Sequence, residues 1–180
     1  DTSLMTLPKV MAAAVEDGLV ASHRSVFGVI FWFAVLPGPV GAVLYRLSEH
    51  IARSWNKPSV AGHAFGLFAA RIFEWMDWLP ARLTALAFAI VGNFEDAIHL
   101  WRNRKKRFGT DNKSLLIAVG AGALGIELGQ PIDPAEQLQL DWAGIEPSPT
   151  AMRSAVGLIW RATVLWLSLI ALWTAARLFN

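Results

Sequence analysis

Any chemistry this chain performs has to come from its acids, arginines and hydroxyls. Its 180 residues include no cysteine, which removes disulfides, thiolate catalysis and cysteine-based metal centres. The four histidines, His23, His50, His63 and His99, do not fall at metal-ligand spacings. What remains is the adjacent pair Glu16 and Asp17 before Gly18, the Tyr45-Arg46 pair with Glu49 nearby, Glu74 and Asp77, and the lone arginines Arg82 and Arg161. Each has a plain reading beside a functional one. Arg46 closes an apolar run, where it can bind an anion or simply snorkel towards water. Arg82, just past Pro80, can do the same or anchor at an interface. Glu74 and Asp77 stand at i and i+3 on one helix face with Arg71, the pattern of a solvated face. Arg161 lies inside a long apolar stretch, where a charge is expected to be paired or to face a cavity.

The elements carrying these residues are apolar. Hydrophobic residues make up 54% of the chain and charged ones only 17%, against about 25% in soluble domains. Nine tryptophans stand against one tyrosine, most of them near the ends of apolar runs, as the indole prefers at a bilayer interface. Composition therefore predicts an all-α, polytopic integral membrane protein rather than a soluble helical core. The net charge of +2 is small, so nothing points to a nucleic-acid partner. Residue 1 is Asp and no signal peptide opens the sequence, so the chain is expected to be the remainder of something longer or a processing product.

Taken in order, Leu7-Pro8-Lys9 leads into a helix over Val10–Ser22 that Glu16, Asp17 and Gly18 interrupt. Val26–Leu47 is apolar but broken at Pro37-Gly38-Pro39, which predicts a kinked or re-entrant element or two half-helices. The second half continues amphipathically to Arg53, and Asn56–Ser59 breaks it. Ala61–Trp78 reads as an amphipathic helix with Phe65, Phe68, Ile72, Phe73, Trp75 and Met76 at helical spacing. Leu79-Pro80 punctuates it, leaving Ala81–Asn93 as a short apolar segment, interfacial or re-entrant. A helix from Phe94 ends in the basic run Arg102–Arg107, which the positive-inside rule places in the cytoplasm with Arg53 and Lys57. Leu115–Leu128 carries closely spaced glycines suited to tight helix packing. Gly129–Thr150 reads as a loop, and Ala151–Phe179 as the cleanest span. All of this forms a single membrane domain over residues 1–180.

Three blocks, Phe31–Arg46 (FWFAVLPGPVGAVLYR), Trp78–Leu86 (WLPARLTAL) and Ala118–Gly129 (AVGAGALGIELG), resemble in the same order blocks of the CobD/CbiB family. That family comprises membrane-embedded cobinamide-phosphate synthases of cobalamin biosynthesis. The resemblance covers nearly the whole chain and matches the C-terminal part of a longer family protein. The first block is also similar to AmpE, an inner-membrane protein linked to β-lactamase induction.

The resemblance implies an ATP-dependent, amide-forming ligase in the bacterial inner membrane, using ATP and magnesium. It joins an aminoalcohol phosphate to a carboxylate side chain of adenosylcobyric acid, a corrinoid. Such chemistry needs cations for phosphate and carboxylate, and acids to take a proton. Carried over residue by residue, it makes Tyr45, Arg46, Glu49 and Arg82 the substrate-binding candidates, the arginine forks matching anion geometry. Glu16, Asp17 and Asp77 become the catalytic candidates, and no metal ligand is assigned. Where the family has an Asn-Thr-Leu-Asp run, this chain reads Leu47-Ser48-Glu49-His50, and before Pro80 it reads Glu74-Trp75-Met76-Asp77-Trp78. An active synthase and a diverged relative both fit that pattern. The rival expectation is non-enzymatic: an AmpE-like signalling protein, or an accessory subunit in a larger membrane complex. Membrane lipids are expected partners in either case.

Overall fold

The computed structural model describes residues 7–36, 39–55, 63–129 and 144–178, with backbone alone at 63–65, 106–107 and 178. Among them the architecture is all-helical: α1 Leu7–Ser22, a π-helical segment His23–Phe27, α2 Gly28–Val35, α3 Val40–Trp55, α4 His63–Val91, α5 Phe94–Arg107, α6 Asn112–Leu124 and α7 Pro149–Leu178. One isolated parallel bridge, Ile126 with Ile145, ties the chain after α6 to the chain before α7.

α6 is the centre. From Ser114 to Ala123 every residue is buried, and α1, α4, α5 and α7 all pack on it. Its small residues permit that. A Cβ on Gly122 would lie 2.6 Å from the Ala97 backbone of α5, so the two helices can touch only through a glycine. Asp111 caps the first turn by accepting from Ser114 N, and Gly125 closes the last at φ 66, with Ile126 N bonded to Ala121 O. That is a Schellman ending, which a residue with a Cβ resists.

Three sequence expectations need correction. Glu16, Asp17 and Gly18 do not interrupt α1; the helix runs on through the π segment and α2 to Val35. A mid-helix glycine costs only about 1 kcal/mol, which Val15, Leu19 and Val20 offset by burial. Pro80 does not divide two segments, because α4 continues through it for 29 residues. The missing hydrogen bond and ring clash cost about 3 kcal/mol, set against complete burial of Ala81, Thr84, Ala85 and Phe88 just beyond. Arg161 is not paired with an acid among the described residues: it is exposed and its Nε donates to Gly157 O of its own helix at 3.2 Å.

The break after α2 falls where expected. Leu36, before Pro37, is extended at φ −95 and ψ 142, as proline forces on its predecessor; Pro37 and Gly38 themselves lie outside the described residues. α2 and α3 then fold back on each other. Gly28 lies against the Tyr45 ring and Gly41 against the Trp32 carbonyl, pairs equally spaced about the break, so the two helices form an antiparallel hairpin. Asn56–Ser59 lies outside the described residues, and so does most of Gly129–Thr150.

Two helices are long and apolar enough to cross a membrane: Leu7–Val35 and Pro149–Arg177, 29 residues each. Only 28% and 17% of their most apolar stretches are buried inside the protein. A soluble core helix would bury that surface; here it faces outward. α4 behaves the same way. Of the apolar residues at helical spacing along it, Phe68, Ile72 and Trp75 are exposed, Trp75 at 88%, whereas Phe73 is buried. The buried side runs through Phe73, Asp77, Ala81, Thr84 and Phe88.

Candidate functional site

The π segment puts His23 where it is. A π turn inserts an extra residue into a helix and rotates the turns beyond it, a device common at functional positions. Here it turns both His23 and Phe27 inward until neither has any exposed surface. His23 reaches α4 twice: its Nε2 lies 2.8 Å from Asp77 Oδ1, and its Nδ1 lies 3.0 Å from Thr84 Oγ1. Nε2 donates to the carboxylate in either protonation state. Nδ1 accepts from the Thr84 hydroxyl when the ring is neutral and donates to it when charged.

The same Asp77 oxygen accepts a 2.7 Å hydrogen bond from Tyr45 Oη of α3. Asp77 is 3% exposed and Tyr45 not at all. One carboxylate therefore joins three elements: the π segment, the returning arm of the hairpin and α4. A buried carboxylate is tolerated only with such partners. Gly28 is required beside it, since a Cβ there would overlap the Tyr45 hydroxyl. The Arg24 guanidinium stands 5.5 Å from the centre of the Phe73 ring, and Phe73 packs on Tyr45 at 5.5 Å. The solvated face expected for Asp77 is thus incorrect; Glu74 is exposed, Asp77 is not.

One turn along α3, Glu49 is also buried, at 5% exposure. Its two oxygens are taken by Arg46 Nη1 and Arg53 Nη2, each at 2.9 Å. The Arg46 side chain remains 52% exposed, so it presents its remaining N–H donors outward with a carboxylate behind it. Glu16 and Arg82 sit elsewhere. Glu16 Oε1 accepts from Gly129 N at 2.7 Å, fastening α1 to the chain after α6. Asp17 beside it is exposed. Arg82 stacks 3.9 Å from the centre of the Trp78 ring and donates to Trp78 O. The structure therefore gathers Tyr45 with Asp77, and Arg46 with Glu49 on the same helix as Tyr45, and leaves Glu16, Asp17 and Arg82 apart.

Beside the hairpin a groove of ≈ 670 Å³ runs between α2 and α4, lined by Phe31, Trp32, Phe68 and Trp75 together with Arg71. The indole Nε1 of Trp32 is buried without a hydrogen-bond partner among the described residues. No group of three or more His, Cys, Asp or Glu that could hold a metal ion occurs among the described residues. The buried carboxylates are already engaged, Asp77 by His23 and Tyr45, and Glu49 by two arginines, so they do not fit a magnesium cradle.

His23, Arg24 and the π segment escaped sequence reasoning. A lone histidine without ligand spacing gives no metal signal, and nothing in HRSVF announces a π turn. Asp77 itself had a legible signal: it stands four residues after Phe73 and four before Ala81, which places it on their face.

Comparison with known proteins identifies the family of the chain. The family described as CobD/Cbib protein matches residues 1–159. The cobalamin biosynthesis protein CobD of Stutzerimonas stutzeri is 34% identical over 170 residues, 93% of this chain and 56% of that protein. CobD of Chromobacterium violaceum is 34% identical over 176 residues, 94% of this chain and 55% of its own length. A probable CobD of Pyrococcus furiosus is 26% identical over 172 residues, 96% and 56%. The chain thus spans about half the length of the curated relatives it matches. No solved structure matches it. None of these matches favours the AmpE-like alternative. With the match running from the first helix, through His23, Tyr45 and Asp77, into α7, the chain belongs to the CobD/CbiB family.

Proposed function

We propose that this chain forms part of a multi-pass inner-membrane synthase of cobalamin biosynthesis, which attaches an aminoalcohol phosphate to a carboxylate of adenosylcobyric acid. The observation that carries the proposal is the family match over residues 1–159, which includes the buried polar cluster and the arginine beside it. In this reading the activity belongs to the full-length protein, of which these helices supply one part. Leu7–Val35 and α7 cross the bilayer, α3 folds back along α2 from the break at Pro37, and the basic run Arg102–Arg107 faces the cytoplasm with Arg53.

Two features suit the substrates. Arg46, held from behind by Glu49, offers a fixed fork to a phosphate or carboxylate. The aromatic groove, which Arg71 also lines, suits a broad apolar macrocycle carrying acid groups. Arg82 and the exposed Asp17 are the further candidates for anion binding and for taking a proton from the attacking amine. Asp77, closed in by Tyr45 and His23, positions the hairpin that presents Arg46 and the groove wall. Glu16 acts in the same positioning sense through Gly129. ATP would supply the activation of the carboxylate. No group of three or more acids or histidines among the described residues could hold its magnesium.

The test is complementation. A strain lacking its own synthase, supplied with adenosylcobyric acid, is given the full-length protein and examined for adenosylcobinamide phosphate by mass spectrometry. Product formation is expected. Its absence, with the protein found intact in the membrane fraction, would overturn the proposal.

A further inference from the structure

Between α2, α4 and α7 lies a second, apolar cleft of ≈ 590 Å³. Val35 stands on one wall, Leu86 and Ile90 on another, and Leu169 and Trp173 on the third. Ala87 of α4 also lines it. Among the described residues, the one charged residue lining the cleft is Arg177, in the last turn of α7. Its guanidinium rests 4.3 Å from the centre of the Trp173 ring, and no ion pair engages it among the described residues.

Two of the three walls belong to the helices that are long and apolar enough to cross a membrane. Tryptophan and arginine together at the end of such a helix mark the level of lipid headgroups. An apolar trough ending at a cation that no acid engages among the described residues is complementary to an amphiphile with a hydrocarbon body and an anionic end. Charge decides the occupant. A passing apolar helix would gain nothing from Arg177 and would have to bury its charge. A phosphate would take two guanidinium hydrogen bonds in matching geometry.

We propose that this cleft binds one anionic phospholipid of the bilayer, an acyl chain lying along Leu86 and Ile90 and the phosphate at Arg177. This rests on the membrane placement proposed above, not on the synthase activity.

The full-length protein, purified in mild detergent and stripped of lipid, is titrated with phosphatidylglycerol, and bound lipid is counted by native mass spectrometry. One phosphatidylglycerol per chain should bind ahead of all others, and phosphatidylcholine should not replace it. Arg177→Ala should weaken that step about tenfold, the loss expected of one charge-assisted contact. Leu169→Trp, which fills the cleft from an exposed position, should abolish it, and Arg153→Ala, exposed elsewhere on α7, should not change it. Equal binding by the parent, Arg177→Ala and Leu169→Trp would overturn the proposal. So would a photo-crosslinker at Leu86 that captures another helix of the same protein instead of lipid. Retention of the protein in carbonate-washed membranes, measured alongside, separates failure of the membrane placement from failure of the lipid site.

Discussion

His23 and Asp77, 54 positions apart, meet at 2.8 Å in a site from which solvent is almost wholly excluded. Because Tyr45 shares the same carboxylate oxygen, this contact decides how the α2–α3 hairpin sits on α4. Removing one partner of a buried, hydrogen-bonded charge typically costs about 3 kcal/mol. Asp77→Asn should therefore lower the thermal midpoint of the purified full-length protein well beyond Tyr45→Phe, which deletes one hydrogen bond worth about 1 kcal/mol. A double-mutant cycle over the two substitutions should give a coupling above about 0.5 kcal/mol. Additive losses would mean that the hydroxyl and the carboxylate act separately.

The glycine against Tyr45 gives a sharper contrast. At Gly28 an added methyl overlaps the tyrosine hydroxyl, whereas at Gly157 it meets nothing within 4 Å. Gly28→Ala should destabilise by about 1–3 kcal/mol as the hairpin shifts to make room. Gly157→Ala should be neutral or stabilising by up to about 1 kcal/mol, the ordinary helix preference for alanine. Thermal unfolding of the two variants in the same detergent measures both. A harmless Gly28→Ala would mean that α2 and α3 do not approach this closely.

Arg46 and Arg53 both hold Glu49 at 2.9 Å, so they share a structural duty but not the proposed substrate contact. Arg46→Ala should cut product formation about tenfold or more, the cost of losing a guanidinium–anion contact. Arg53→Ala should leave turnover close to that of the parent. Equal losses in the two variants would assign both arginines to holding Glu49 alone.

Glu16 and Asp17 separate in the same way. Glu16→Gln weakens the bond to Gly129 N and should lower stability by about 1 kcal/mol. Asp17 is exposed, so Asp17→Asn should leave the thermal midpoint unchanged. Turnover measured on both variants then reads chemistry at Asp17 free of any folding effect. Unchanged turnover in Asp17→Asn would remove it from the catalytic candidates.

Much of the scaffold was legible because it rests on local chemistry. The stop before Pro37, the end of α5 in its basic run and the close packing of α6 through Gly122 each come from one or two residues. The errors arose where burial, not propensity, decides. Pro80 and Gly18 signal breaks, yet packing on α6 carries both helices through. Phe68, Ile72 and Trp75 are apolar yet exposed, so hydrophobicity alone does not say which face of α4 packs inward. The i, i+3 spacing of Glu74 and Asp77 suggests a solvated face, although Phe73 and Ala81 flank Asp77 at helical spacing on the buried side. Of the candidate site residues, folding gathers Tyr45 with Asp77, a contact between helices that no local spacing in the sequence announces, and Arg46 with Glu49 at i, i+3 on α3.

The central proposal, that this chain belongs to a working synthase, is tested most directly in membranes holding the full-length protein. They are incubated with adenosylcobyric acid, an aminoalcohol phosphate and ATP, and adenosylcobinamide phosphate is quantified by mass spectrometry. Product should form with the parent protein and fall sharply with Arg46→Ala. No product from intact, membrane-inserted protein would contradict the proposal and leave a diverged relative that keeps the scaffold without the reaction.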